Sequence, residues 1–279
     1  MGATKIMVIR HGEKPGSYNG QQYAGVNNLG TVAGNDATKH LVTLGGERAG
    51  ALVTLFAPPW GPKPSLATPQ FLFASDPTPR HDDDAGDEGP SQRPYETLTA
   101  LAAKLGRAID SSHGKNHCAR MVTAALACEG TVLIAWQHED IALTTKTGSP
   151  GISQEILTQT GTTGKFNIPA SWPHGPAGAR YDLVFVFDRP SGDGPITGFT
   201  LLAHQLLAGD LPYIRARTGG IPRRRPDRAG RKADRESQGC QEARPVQAAS
   251  TAGRFQTGPA GQPFLNGCPG RPATFMRML

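Results

Sequence analysis

The chain has 279 residues, 37% of them hydrophobic, and 59 are Gly or Pro. That is enough for one good-sized α/β domain, but too many chain-breaking residues for every segment to carry a core. The net charge of +6 is uneven: residues 211–279 hold 13 basic and 4 acidic side chains (+9), whereas residues 1–210 hold 16 and 19 (−3). The basic character belongs to the tail, and a nucleic-acid-binding body is excluded.

Cys118, Cys128, Cys240 and Cys268 form no C-x-x-C pair and have no zinc-like spacing with histidine, so no structural metal is expected. The apolar run Ile6–Ile9 is too short for a signal peptide or a membrane span. These features predict a cytoplasmic protein with free thiols and no membrane partner.

In chain order, the continuous apolar run Ile6–Ile9 predicts a buried strand that ends at Arg10-His11-Gly12. Residues 15–46 read as loop. Ala49, Leu52, Val53 and Phe56 sit at helical spacing within Glu47–Phe56, and Pro58-Pro59 stops that helix. Phe71–Ala74 predicts a second strand ending at Ser75, followed by an acidic loop over 76–92. Pro94 opens a helix to about Leu105, and Ala119–Ala127 is a further helix. Thr131–Trp136 is the strongest strand and ends at Gln137-His138-Glu139; Asp182–Phe187 and Ile196–Leu206 follow as strands. Residues 211–279 repeat Arg, Ala, Gly, Pro and Gln with few large apolar groups, which predicts a disordered tail and a domain boundary near 210.

Strands alternating with helices predict a three-layer α/β/α sandwich around a mainly parallel sheet. Ligands in such sheets bind at the carboxyl ends of the strands. Three predicted strands end in Arg10-His11, Ser75 and His138-Glu139, so one rim would collect two histidines and an arginine. This set suits a phosphomonoester. Arginine can bind two phosphoryl oxygens at once. An imidazole nitrogen can attack phosphorus and split a hard displacement into two easier steps. A carboxylic acid must then protonate the leaving oxygen.

Arg10-His11-Gly12-Glu13 after a strand resembles the signature of the histidine phosphatase superfamily, also called phosphoglycerate-mutase-like. Leu44-Gly45-x-x-Arg48-Ala49 is similar to its first helix, Ser91-x-Arg93-x-x-Glu96-Thr97 to its second arginine motif, and Val132–His138 to its second histidine strand. The four motifs occur in the family's order over roughly residues 4–210, which a lone tetrapeptide would not convey. The resemblance implies that His11 is the nucleophile and that Arg10, Arg93 and His138 hold the phosphoryl group. It also implies that no metal or organic cofactor takes part.

Two assignments stay open. Arg80, five residues after Ser75, competes with Arg93 as second arginine; Arg93 is preferred because it opens a helix. Glu139 follows His138 where one branch of the family carries an acidic donor, and Glu13 and Asp140 are alternatives. The resulting expectation is a phosphomonoester hydrolase with a phosphohistidine intermediate and a small phosphorylated substrate. The alternative is a catalytically weak phospho-ligand-binding or regulatory module on the same fold.

Overall fold

The structure, a computed structural model, describes residues 1–18, 21–27, 30–31, 37–78, 90–175, 178–204, 206–207 and 210. The chain divides into two units, Met1–Gly220 and Ile221–Leu279, and the described residues all belong to the first. The tail expected over 211–279 and residues 79–89 of the acidic loop, Arg80 among them, lie outside the described residues.

Six strands form the central sheet: β1 (Ala3–Arg10), β2 (Phe71–Ser75), β3 (Ile109–His113), β4 (Gly130–Trp136), β5 (Leu183–Asp188) and β6 (Gly198–Ala203). Their order is β6-β5-β1-β4-β2-β3. Strands β1, β4, β2 and β3 pair in parallel. Strand β5 is antiparallel to both neighbours. Residues 189–197 alone join β5 to β6, too few for a crossover, so these two form a hairpin.

Helices α1 (Thr43–Phe56) and α2 (Arg93–Leu105) cover one face of the sheet, and α3 (Cys118–Ala127) and α4 (Ile152–Gln159) the other. The division follows the pleat. Met7 and Ile9 pack with Leu52, Phe56, Leu98 and Leu101. Ile6 and Val8 pack with Met121, Val122, Ile152 and Ile156. Because both faces are covered, β1 reads as a continuous apolar run rather than an alternating one. The α/β expectation of three layers around a mainly parallel sheet therefore holds. Among the described residues, no helix is long and apolar enough to cross a membrane.

Several elements differ from the sequence expectation. The stretch 15–46, expected as loop, holds two short antiparallel strand pairs, Gly16–Tyr18 with Gln21–Tyr23 and Val26–Asn27 with Gly30–Thr31, whose few residues and Gly/Asn-rich composition leave no apolar run to mark them. Helix α1 begins at Thr43, earlier than Glu47, and takes in Gly45 and Gly46. Strand β3 was not expected: Ile109-Asp110-Ser111-Ser112-His113 is an edge strand whose side chains stay partly exposed, so it carries little apolar signal. Helix α4 is only eight residues long; Ile152 and Ile156 are its buried apolar residues, with Leu157 packed beside them.

The exit from β1 sits very close to the start of α1. A Cβ on Gly12 would lie 2.8 Å from Gly45 O, and one on Gly45 would lie 2.7 Å from Glu13 O. Val42 N donates to Glu13 O at 3.1 Å across the same contact. Only glycine permits this approach of backbone to backbone. Gly46 and Gly50, on the exposed side of α1, would meet nothing within 4 Å. We therefore expect Gly45→Ala to lower stability by about 1–3 kcal/mol. Gly46→Ala and Gly50→Ala should each raise it by about 0.5–1 kcal/mol, because alanine favours the helix and restricts the unfolded chain. Urea unfolding of the three variants checks the contrast; a destabilised Gly50→Ala with a neutral Gly45→Ala would contradict it.

Candidate active site

The parallel register of β1, β4 and β2 brings their carboxyl ends to one edge. Arg10 pairs with Trp136, and Ala74 with Ala135. Arg10 and His11 leave β1 there, Ser75 ends β2, and His138, Glu139 and Asp140 form a short 3-10 turn after β4. Arg93 is the first residue of α2.

His11 is 2% exposed. Its backbone N–H donates to Trp136 O at 3.1 Å, which continues the β1–β4 ladder by one residue. Its Nδ1 lies 2.6 Å from Gly12 O. A carbonyl only accepts, so Nδ1 carries the proton and the ring's electron pair is on Nε2. Burial, and after it the charges of Arg10 and Arg93, hold the His11 pKa well below 6.5; the Gly12 carbonyl pulls the other way, and His138 adds a smaller lowering. Arg10, Arg93 and His138 therefore all lie within electrostatic reach of His11. Arg80 lies outside the described residues.

The loop after His11 is held by α2. Gly12 N donates to Thr97 Oγ1 at 2.8 Å, and the Thr97 hydroxyl donates to Arg93 O at 2.7 Å. Arg93 Nη1 also donates to Thr38 O. Glu96 accepts from Leu41 N at 2.8 Å and pairs with His40. The first turn of α2 thus fastens both the His11 loop and the segment that leads into α1.

Arg10 lies flat on Tyr181, its guanidinium carbon 3.7 Å from the ring centroid, and donates to the Tyr181 hydroxyl at 3.2 Å. The Tyr181 ring also stands 6.4 Å from that of His11, making one wall of the site. Tyr181 precedes β5 and carried no motif signal. Stacking on an aromatic face fixes a guanidinium plane, which a phosphoryl clamp requires.

The three candidate acids differ sharply. Glu13 is buried and bonded by Arg48, Nη2 to Oε1 at 2.6 Å and Nε to Oε1 at 2.9 Å. Arg48 also donates to both oxygens of Asp210 at 2.9 Å. Glu139 Oε2 lies 3.0 Å from His138 Nδ1. Burial acts to raise Glu139, but the adjacent His138 ring outweighs it and holds its pKa at about 2. Burial, with the neighbouring Glu139 charge, pushes Asp140 up to about 6. Burial lowers His138 despite its pairing with Glu139.

Sequence motifs pointed to Arg10, His11, Arg93, His138 and Glu139. They missed Tyr181, and they did not reveal that Thr97 and Arg48, both inside matched motifs, act on the His11 loop. Among the described residues, no group of three or more His, Cys, Asp or Glu side chains has the arrangement of a metal site.

Two expectations follow. Arg48→Ala strands the buried Glu13 carboxylate, leaves Asp210 with its backbone donors Leu206 N and Leu207 N, and should cost about 3–5 kcal/mol in urea unfolding; a loss under about 1 kcal/mol would mean the network contributes little. The second concerns pH. His11, His138 and His204 all bind protons less readily folded than unfolded, burial being the first cause in each. Below about 6.5 the unfolded chain takes up protons that the native state refuses, so stability falls as pH drops from 7.5 towards 6. Asp140 has the opposite sign: its raised value adds stability as pH falls from about 6 towards 4, which shallows the decline there. Unfolding free energies at pH 7.5, 6.5 and 5.5 check the profile, and a protein more stable at 6.5 than at 7.5 would contradict it.

No protein-family model and no curated protein matches the chain. Solved structures do match. One, described as "the putative phosphohistidine phosphatase SixA from Agrobacterium tumefaciens", aligns over 71% of this chain and 97% of that chain at 12% identity, with a TM-score of 0.31. At that level of likeness, function has to be argued from the residues of the site.

Proposed function

We propose that the chain is a phosphomonoester hydrolase that works through a phosphohistidine on His11, on a small phosphorylated substrate. One observation carries this reading: His11 is buried, its Nδ1 proton is committed to Gly12 O, and the charges of Arg10, Arg93 and His138 reach it and favour its neutral form. A buried imidazole with its electron pair on Nε2 is the form that attacks phosphorus. Nε2 forms the new bond to phosphorus as the ester oxygen leaves with its electron pair and takes a proton from a carboxylic acid. Arg10 and Arg93 hold the phosphoryl oxygens where negative charge grows. The incoming dianion favours a protonated His138, which then adds a third cationic donor. In the second step water attacks the phosphohistidine and gives its proton to the same carboxylate; the N–P bond breaks with its electron pair returning to Nε2, and inorganic phosphate leaves. The positive charge of this set can carry the reaction without a metal ion.

For the proton donor, the surroundings favour Asp140 over Glu139. A carboxyl at about 6 is partly protonated near neutral pH, whereas one at about 2 is not. Glu13 is bound to Arg48 and is a brace for the loop. The rival reading is a phospho-ligand-binding module with little turnover. The ionised state of Glu139 favours it, since that carboxylate has no proton to give.

Hydrolysis of p-nitrophenyl phosphate by the wild type and His11→Ala tests the first reading. The substitution should lower kcat/KM by at least about a thousandfold while thermal unfolding is unchanged. Equal turnover in the two proteins would remove His11 from the chemistry. Nitrophenol leaves readily without a proton, so the donor is tested on an alkyl phosphate. Asp140→Asn should lower kcat there by about 100-fold or more and abolish the alkaline limb of the pH profile, with Glu139→Gln keeping that limb. If Glu139→Gln alone lost it, the donor would be Glu139.

A further inference from the structure

Gln137 is a buried polar side chain at the site's edge that the mechanism above does not use. It follows Trp136 at the end of β4 and is 8% exposed. Its Nε2 donates to Ser75 Oγ at 3.1 Å, so the side chain reaches from β4 across to the end of β2. Its Oε1 is buried without a hydrogen-bond partner. On the opposite flank of β4, Arg10 pairs with Trp136 and His11 N donates to Trp136 O. His11 and Gln137 therefore leave the sheet side by side, as the next residues of two parallel strands.

A buried amide oxygen without a donor is rare in folded proteins and needs a functional or solvent partner. The oxygen and nitrogen of a glutamine amide have nearly the same shape, so the group can sit either way round. In the orientation present, Oε1 lacks a donor and, among the described residues, the Ser75 hydroxyl hydrogen has no acceptor. Turned over, the Ser75 O–H donates to Oε1 and both needs are met at once. The group left over is then Nε2, with two N–H donors at the carboxyl edge of the strands that carry His11 and His138. A phosphoryl dianion offers acceptors only, so it matches donors and not a bare carbonyl oxygen.

Resting on the phosphatase reading above, we propose that Gln137 binds the phosphoryl group: Ser75 holds its carbonyl oxygen and its Nε2 donates to a phosphoryl oxygen beside His11. The set of donors around the phosphoryl group then includes a neutral amide as well as the cations. Its contribution does not titrate, so it persists at pH values where His138 has lost its proton.

The test is calorimetric binding of inorganic phosphate to the full-length wild type, Gln137→Leu and Gln137→Glu, with thermal unfolding as the control for folding. Loss of one donor to a charged group should weaken phosphate roughly 10- to 100-fold in Gln137→Leu. Gln137→Glu should weaken it further, because its carboxylate repels the anion. A dissociation constant within about twofold of wild type in either folded variant overturns the proposal. Should Gln137→Leu fail to fold, Gln137→Glu decides alone, since it keeps the side-chain shape and an acceptor for Ser75. A wild type that binds no phosphate overturns the phosphatase site and this proposal together; a wild type that binds, with unaffected variants, overturns Gln137 alone.

Discussion

The constraint on which the site depends is the burial of an imidazole among cations. A charged His11 would face desolvation and the repulsion of Arg10 and Arg93 together, so the ring stays neutral. Neutrality makes the nitrogen nucleophilic, and the same cations that suppress its proton are those a phosphate dianion would meet. On the proposed reading, one electrostatic arrangement prepares both the attacking atom and the binding place for the group it attacks. The Gly12 carbonyl completes the arrangement by fixing which nitrogen holds the proton.

Holding a ring in that state requires a rigid loop, and the loop after β1 is fastened from three sides. Thr97 takes the Gly12 amide, Gly45 allows backbone contact, and Arg48 grips Glu13 in a buried pair. None of these groups needs to touch substrate. Their common effect is that His11, Arg10 and Arg93 are set by two helices and a strand rather than by loop conformation alone. Preorganised donors of this kind need no rearrangement when charge develops during reaction, which is where much of an enzyme's advantage arises. Arg48 also reaches Asp210, 162 positions further on, so that carboxylate is tied to the loop that carries His11.

Much of this was legible in the sequence because it is written in strong local patterns. Strands β1 and β4 are buried on both faces and show as unbroken apolar runs that end in chemistry-bearing residues. Helix α2 was legible through Pro94 and its spaced leucines. Strand β3 was not, because an edge strand reading Ile-Asp-Ser-Ser-His has no apolar run to betray it. Helix α4 is too short for a helical period to stand out. Tyr181 was invisible for another reason: its importance lies in packing against Arg10, 171 positions away, which no local pattern encodes. The choice among carboxyls was equally closed, since Glu13, Glu139 and Asp140 differ by their neighbours rather than by their type.

The account stands or falls on a covalent bond between His11 and phosphorus. The direct measurement is rapid acid-free quenching of the wild type during turnover of a phosphate ester, followed by peptide mass spectrometry. The account predicts a phosphoryl group on the imidazole of His11, stable in base and lost in acid. Steady hydrolysis with no phosphorylated His11 peptide, or with the phosphoryl group on another residue, would contradict it.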